Sequence, residues 1–240
     1  MAKNKKFEET DEAFAQIEST LGRTEQFVEN NKKNLGYGVA GLLGLIILVL
    51  AYINYVKKPA AAEAYSKIYH AEQYFEVDSL DLALFGDGNT AGFLDIIDNY
   101  GSTKSGNLAH YYAGICYLKL AAKDEVNKET YLENAISELK DFSSDDLNVK
   151  PMAIGAIGDA YMELGEIDKA AGYYMKAANH NDNEFTTPLF LKKAGMTYSI
   201  LGSHEKALEA YNTIKTKYYQ STEGREIKKF IGREEAFLNK

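Results

Sequence analysis

Tryptophan is absent from this chain of 240 residues, proline occurs three times and cysteine once. So few prolines, beside abundant Ala, Leu, Glu and Lys, favour helices over short-stranded β architecture. The single cysteine, Cys116, excludes an internal disulfide and any multi-cysteine metal site. Positive charge is also scarce. A formal net charge of −8 argues against nucleic-acid binding, which needs concentrated basic residues. The shortage is uneven: residues 59–214 hold 12 Lys/Arg against 24 Asp/Glu, whereas residues 215–240 hold 7 against 4.

Charge disappears altogether from residues 35–56, LGYGVAGLLGLIILVLAYINYV. At about 1.5 Å per residue, a helix of that length crosses a hydrocarbon core of roughly 30 Å. Lys32 and Lys33 flank one end and Lys57 and Lys58 the other, with Tyr37, Tyr52 and Tyr55 where interfacial aromatics belong. Ala60-Ala61-Ala62 imitates a signal-peptidase site, but the apolar run is too long for a signal sequence and a long polar tail precedes it. An uncleaved anchor is therefore expected, and with no cysteine after it, not a lipoprotein. Lysines balance across the segment. A short tail before one helix, followed by a large domain, nevertheless favours the tail inside and the domain outside. Gly36, Ala40 and Gly44, spaced by four, share one face of the anchor, where another membrane helix can approach closely.

The tail, residues 1–34, places Phe7, Phe14, Leu21 and Val28 seven apart, with Ile17 on the same side. That spacing suits a short amphipathic helix or coiled-coil seam interrupted at Gly22, with Thr24 capping a helix into the membrane.

After the anchor the chain reads as amphipathic helices joined by short turns. AIGDAYMELGEIDKAAGYYMKAA and KAGMTYSILGSHEKALEAYNTI align: Gly158, Tyr161, Leu164, Gly165, Ala170 and Tyr174 match Gly195, Tyr198, Leu201, Gly202, Ala207 and Tyr211. Each copy is two helices with a tight turn at Gly165 or Gly202, where glycine permits positive φ. The small residues lie where the helices cross, and Pro151 and Pro188 open the first helices. This pattern resembles the tetratricopeptide repeat, a helix–turn–helix unit. With decay it extends backwards: Gly114 and Tyr117 with Ala135 and Leu139, then Ala71 and Tyr74 with Gly92 and Ile96. Each of these copies is longer than the later two, which implies insertions in the first helix or its turn. The expected fold is all-α: one transmembrane helix, then a right-handed α-solenoid of about four repeats. The repeats fall at about 64–106, 107–150, 151–187 and 188–221, within a domain spanning 60–221. A charged helix at 222–240, with Ile227, Phe230, Ile231 and Ala236 on one side, would cap the last repeat.

No catalytic constellation or cofactor motif stands out. His70, His110, His180 and His204 have no metal-ligand spacing, and Cys116 sits among apolar neighbours as a structural thiol. DGNTAG, Asp87–Gly92, resembles a calcium loop but lacks a ligand at Ala91 and ends on Asp98, so a turn explains it better. Binding is what a repeat stack offers. In the tetratricopeptide family the groove is lined by the first helices. By register these supply Tyr111, Ile115, Leu118, Met152, Asp159, Met162, Leu189, Lys192, Met196 and Ile200. The set is apolar, with adaptable methionines. It lacks the Lys/Asn residues with which chaperone-binding members of the family clamp a C-terminal carboxylate. The competing expectation is that the C-terminal or the membrane-proximal helix fills the groove.

The tail ending in TEQFVENNKK, the anchor, and repeats carrying IIDNYGSTKSGNLAHYYAGICYLKL together resemble the YfgM-type ancillary subunits of the Sec translocon, in their Bacteroidota form. The resemblance implies a single-pass protein of the bacterial inner membrane with a cytoplasmic N-terminus and a periplasmic repeat domain. It also implies association with the SecYEG channel and a PpiD-type membrane-anchored peptidyl-prolyl isomerase, a chaperone role toward newly translocated proteins, and no catalytic residues. The alternatives are an envelope-coordination scaffold of the cell-division or Tol-associated kind, and a regulatory subunit of a cytoplasmic enzyme.

Overall fold

The structure, a computed structural model, describes the backbone of residues 2–239 and the side chains of residues 22 and 26–239. Among these residues it is helical, with no strand. The chain divides into two compact units, residues 1–59 and 60–240.

The first unit holds α1 (Ala2–Tyr52) and a π-helical turn, Ile53–Lys57. The backbone stays helical through Gly22 and Thr24, so neither the expected interruption nor the expected cap is present. One interior glycine costs a helix only about 1 kcal/mol, which long flanking runs of helix formers outweigh. The side chains of Phe7, Phe14, Ile17 and Leu21 lie outside the described residues, and Val28 is exposed. The apolar stretch is long enough to cross a membrane, with a mean hydropathy of 2.3 over 18 residues, none of them buried. The charge-free segment is not one uniform α-helix. Its last four residues fall in the π turn, where the Lys58 N–H donates to the Ile53 carbonyl.

The second unit contains most of α2 (Lys58–Glu76), then α3 (Leu80–Phe85), α4 (Phe93–Tyr100), α5 (Lys104–Ala121) and α6 (Lys128–Asp141). It continues with α7 (Val149–Glu163), α8 (Ile167–His180), α9 (Thr186–Ile200), α10 (His204–Lys217) and α11 (Thr222–Leu238). From α5 onward each helix packs on the next, and first helices also meet: α5 with α7, α7 with α9, α9 with α11. This is the stacking of an α-solenoid of helix pairs.

The repeat pattern explains the stack. A Cβ on Gly158 would lie 2.7 Å from the Tyr174 ring, one on Gly195 2.3 Å from the Tyr211 ring, and one on Gly114 2.5 Å from Leu139. Tyr174, Tyr211 and Leu139 are buried against these glycines, each ring or branch seated on bare backbone. Leu139 thus takes the tyrosine's place in the second, degenerate copy. The turns repeat as well. Gly165 and Gly202 have φ of +75° and +70°. Glu166 N–H donates to the Tyr161 carbonyl and Ser203 N–H to that of Tyr198, closing Schellman motifs. Asp78, at φ +58°, closes the end of α2 in the same way through Ser79 N–H and the Tyr74 carbonyl.

The insertions fall elsewhere than expected. α2 ends two residues after Tyr74, as α7 does after Tyr161, so the first helix and its turn are of ordinary length. The extra residues instead break the second helix into α3 and α4. Asp87 stabilises the break: its carboxylate accepts from the Asn89 and Thr90 amides and from the hydroxyls of Thr90 and Tyr74. Those bonds hold the Asp87 carboxyl well below the usual range, the Thr90 amide contributing most. In the next copy the extra length is shared by the end of α5, the turn and the start of α6. α7 and α9 begin two residues before Pro151 and Pro188, because Asp146 and Asn183 already accept their leading amides.

α11 buries Ile227, Ile231 and Glu234. Ala236, expected on the buried side, is exposed, and Glu234 is buried in its stead because α9 and the start of α10 supply polar partners there. Gly232 follows Gly195 at the interval that separates Gly195 from Gly158, so α11 stacks as a further first helix. No heavy atom lies within 4 Å of where a Gly232 Cβ would stand. The surrounding face carries exposed Arg225, Lys228 and Glu235. Such a polar outer face suits a solenoid cap.

Candidate protein-binding groove

The first helices α5, α7, α9 and α11 lie side by side, and residues one repeat apart meet across the α7–α9 and α9–α11 junctions. The Asp159 carboxylate on α7 accepts from Lys193 Nζ on α9 at 2.7 and 2.9 Å. Lys192 on α9 pairs with Glu226 on α11, which Lys229 also holds at 2.9 Å. The Lys192 and Lys229 hydrogen bonds, in that order, draw the Glu226 carboxyl down to about 2. Tyr174 donates to Asp159 Oδ1 at 2.7 Å; burial first, and this carboxylate second, push its phenol well up.

Six of the residues expected in the groove, Tyr111, Ile115, Leu118, Met152, Met162 and Leu189, are half-buried and pack against the main core. Asp159 and Lys192 are engaged in the pairs just described. Met196 and Ile200 are exposed, at 42% and 65%. Ile115, Leu118 and Asp159 come together in a cleft of about 440 Å³ between α5 and α7, rimmed by Lys119, Lys128 and Glu163. Lys128 and Glu163 pair across it at 2.9 Å. The sequence reading missed Lys128, Glu163 and Lys193; the spacing of one repeat between Asp159 and Lys193 was the available signal. It also missed a cleft of about 570 Å³ between α8, α9 and α10, lined by Met175, Leu191, Tyr198 and Lys206 among others. In the first unit no heavy atom lies within 4 Å of where a Cβ of Gly36 or Gly44 would stand, and Ala40 is exposed.

Several groups capable of chemistry are otherwise occupied. Cys116 is buried, and burial pushes its thiol up to about 12. His110 Nδ1 lies 2.7 Å from Glu138 Oε2, and His204 Nδ1 2.7 Å from Glu234 Oε2. Ser199 donates to Glu234 rather than to His204, so serine and histidine form no relay. Burial raises the Glu234 carboxyl, but hydrogen bonds from His204, Ser199 and Arg233, with the Arg233 charge, outweigh it and leave it below the ordinary value. Among the described residues no three His, Cys, Asp or Glu side chains are grouped to hold a metal ion.

The repeat geometry agrees with a family match. A tetratricopeptide repeat is matched at residues 153–181, which cover most of α7, its turn and all of α8. No curated protein matches. Among solved structures the chain is similar to BtubC (BKLC) from P. vanneervenii, with a TM-score of 0.41 and 14% identity over 76% of this chain and 67% of that one. The chain is thus an all-α protein: an apolar N-terminal helix long enough to cross a membrane, and a tetratricopeptide-type helical solenoid, a fold that serves protein–protein interaction.

Proposed function

We propose that this is a non-enzymatic, membrane-anchored repeat protein that binds the SecYEG channel, a PpiD-type isomerase, or both, and assists newly translocated proteins. In this reading residues 35–56 anchor it in the bacterial inner membrane, residues 1–34 face the cytoplasm, and the repeats of 60–221 with the cap of 222–240 face the periplasm. Clients bind along the first helices, from Tyr111 to Ile200, and Gly36, Ala40 and Gly44 contact a partner's membrane helix. The carrying observation is an apolar surface on the first helices of a repeat stack, open at Met196 and Ile200 and cleft at Ile115 and Leu118. Contiguous apolar patches on an otherwise polar surface mark interaction sites, and Met196 and Ile200, one turn apart on α9, are neighbours on its surface.

The test is co-purification of the intact protein in mild detergent, with mass spectrometry. Recovery of channel subunits and the isomerase supports the reading. Recovery instead of division or Tol-associated proteins, or of a cytoplasmic enzyme, overturns it in favour of the corresponding alternative.

A further inference from the structure

The heptad of the tail does not stop where the charge-free segment begins. Phe7, Phe14, Leu21 and Val28 are followed at the same interval by Leu35, Leu42 and Val49. Three residues after a member of this row come Ile17, Asn31, Gly38 and Leu45. α1 carries the register as one helix from Ala2 to Tyr52. Seven residues fall just short of two turns of a straight helix. A seam that keeps this interval therefore follows a neighbour only where two helices wind around each other.

Two features of the described surface lie on this seam. Outside the charge-free segment its side is bare: Phe27 and Val28 are 60% and 49% exposed, and they precede Lys32 and Lys33, where hydrocarbon does not reach. Inside the segment nearly every position is apolar, and there the seam shows as a cleft of about 380 Å³. The cleft is lined by Phe27, Asn31, Leu35, Gly38 and Leu42, flanked by Asn34 and Val39. All of these fall on the seam or beside it, and none on the opposite side of the helix. No heavy atom lies within 4 Å of where a Gly38 Cβ would stand, so a second backbone can approach closely there. The Asn31 amide meanwhile donates to the Phe27 carbonyl of its own helix at 2.9 Å.

Symmetry names the occupant. Every copy of the chain enters the membrane in the same direction, so two anchors side by side are parallel. Parallel helices in register bring like positions together, Val28 to Val28, Asn31 to Asn31 and Gly38 to Gly38, and the seam is its own complement. A polar residue in such a seam fixes register and strand number, a part that suits Asn31. The flanking positions agree. Lys6 and Asp11, of opposite charge, fall across from each other in a parallel pair, and Ala13 with Glu18, Thr20 with Glu25 and Phe27 with Lys32 oppose no like charges.

We propose that α1 pairs with α1 of a second copy of this chain, as a parallel two-stranded coiled coil that runs from the tail into the membrane. The pairing is independent of the partners proposed above, because Gly36, Ala40 and Gly44 lie on the opposite side of the helix and stay free for them. The test is disulfide cross-linking of the full-length protein in intact membranes, with Cys116→Ala so that each introduced cysteine stands alone. V28C and L42C, on the seam, should give covalent dimers on mild oxidation. N30C and I47C, on the far side, should not. A chain carrying both V28C and L42C should still stop at the dimer, since both bonds join the same two helices. Adding V28K to L42C should lower the dimer yield about tenfold, because it places an unpaired charge in the seam. Adding N30K, the same charge off the seam, should leave the yield unchanged. Equal cross-linking from the seam and the far side, or none from either, overturns the proposal. Ladders beyond the dimer from the double variant, or a yield at position 42 that V28K and N30K affect alike, overturn it as well.

Discussion

Gly195 shows how one residue holds this fold together. Its missing side chain lets Tyr211, fully buried, press its ring against the α9 backbone. The Tyr211 hydroxyl, unlike that of Tyr174, makes no close hydrogen bond, and the Arg233 guanidinium is the charged group beside it. Gly195→Ala would drive a methyl to 2.3 Å from a ring with no room to retreat. Overpacking of this kind costs about 1–3 kcal/mol. Gly172, on α8, has open space around it, and there alanine should stabilise by up to about 1 kcal/mol through helix propensity. Thermal melting of the intact protein in detergent checks both: the Tm should fall for Gly195→Ala and hold or rise for Gly172→Ala. Shifts in the same direction would mean that the repeat register is wrong.

Among the elements, the two pairs α7–α8 and α9–α10 were legible in the sequence because local and tertiary demands coincide there. The glycine that admits the tyrosine and the glycine that turns the chain both sit within a few residues of their partners. The first pair was less legible. Gly86, Asp87 and Gly92 announce a loop, but only packing against α2 and α5 decides that the loop interrupts a second helix instead of lengthening a first. α11 defeats pattern reading for a related reason. Glu234 falls on its buried side because Ser199 on α9 and His204 on α10 meet it there, and no periodicity within α11 reports on them. The expected groove set is read from the register alone, yet which of its members stay exposed depends on the neighbouring helices. Glu234 also gives α11 a pH dependence. Its carboxyl is lowered from 4.5 in the folded state, so the stability it contributes is present above that value and is lost as pH falls through the folded value. Glu234→Gln should cost about 1.5–3 kcal/mol at neutral pH, the worth of hydrogen bonds to a charged group. It should also flatten the loss of Tm on acidification below about pH 4.5. Melting curves that run parallel for wild type and variant across that range would contradict the role given to Glu234.

For the whole molecule, the proposed function joins an apolar helix long enough to cross a membrane to a repeat stack of a protein-binding kind, and puts the partners on the first-helix face. Site-specific photo-crosslinking in intact membranes tests this most directly, with the reactive group placed at Met196 in the groove or at Gly172 on α8, which has open space around it. Adducts with channel subunits, the isomerase or a translocating chain should form from position 196 and not from position 172. Equal yields from both positions, or adducts only with cytoplasmic proteins, would contradict a periplasmic groove that receives translocated partners.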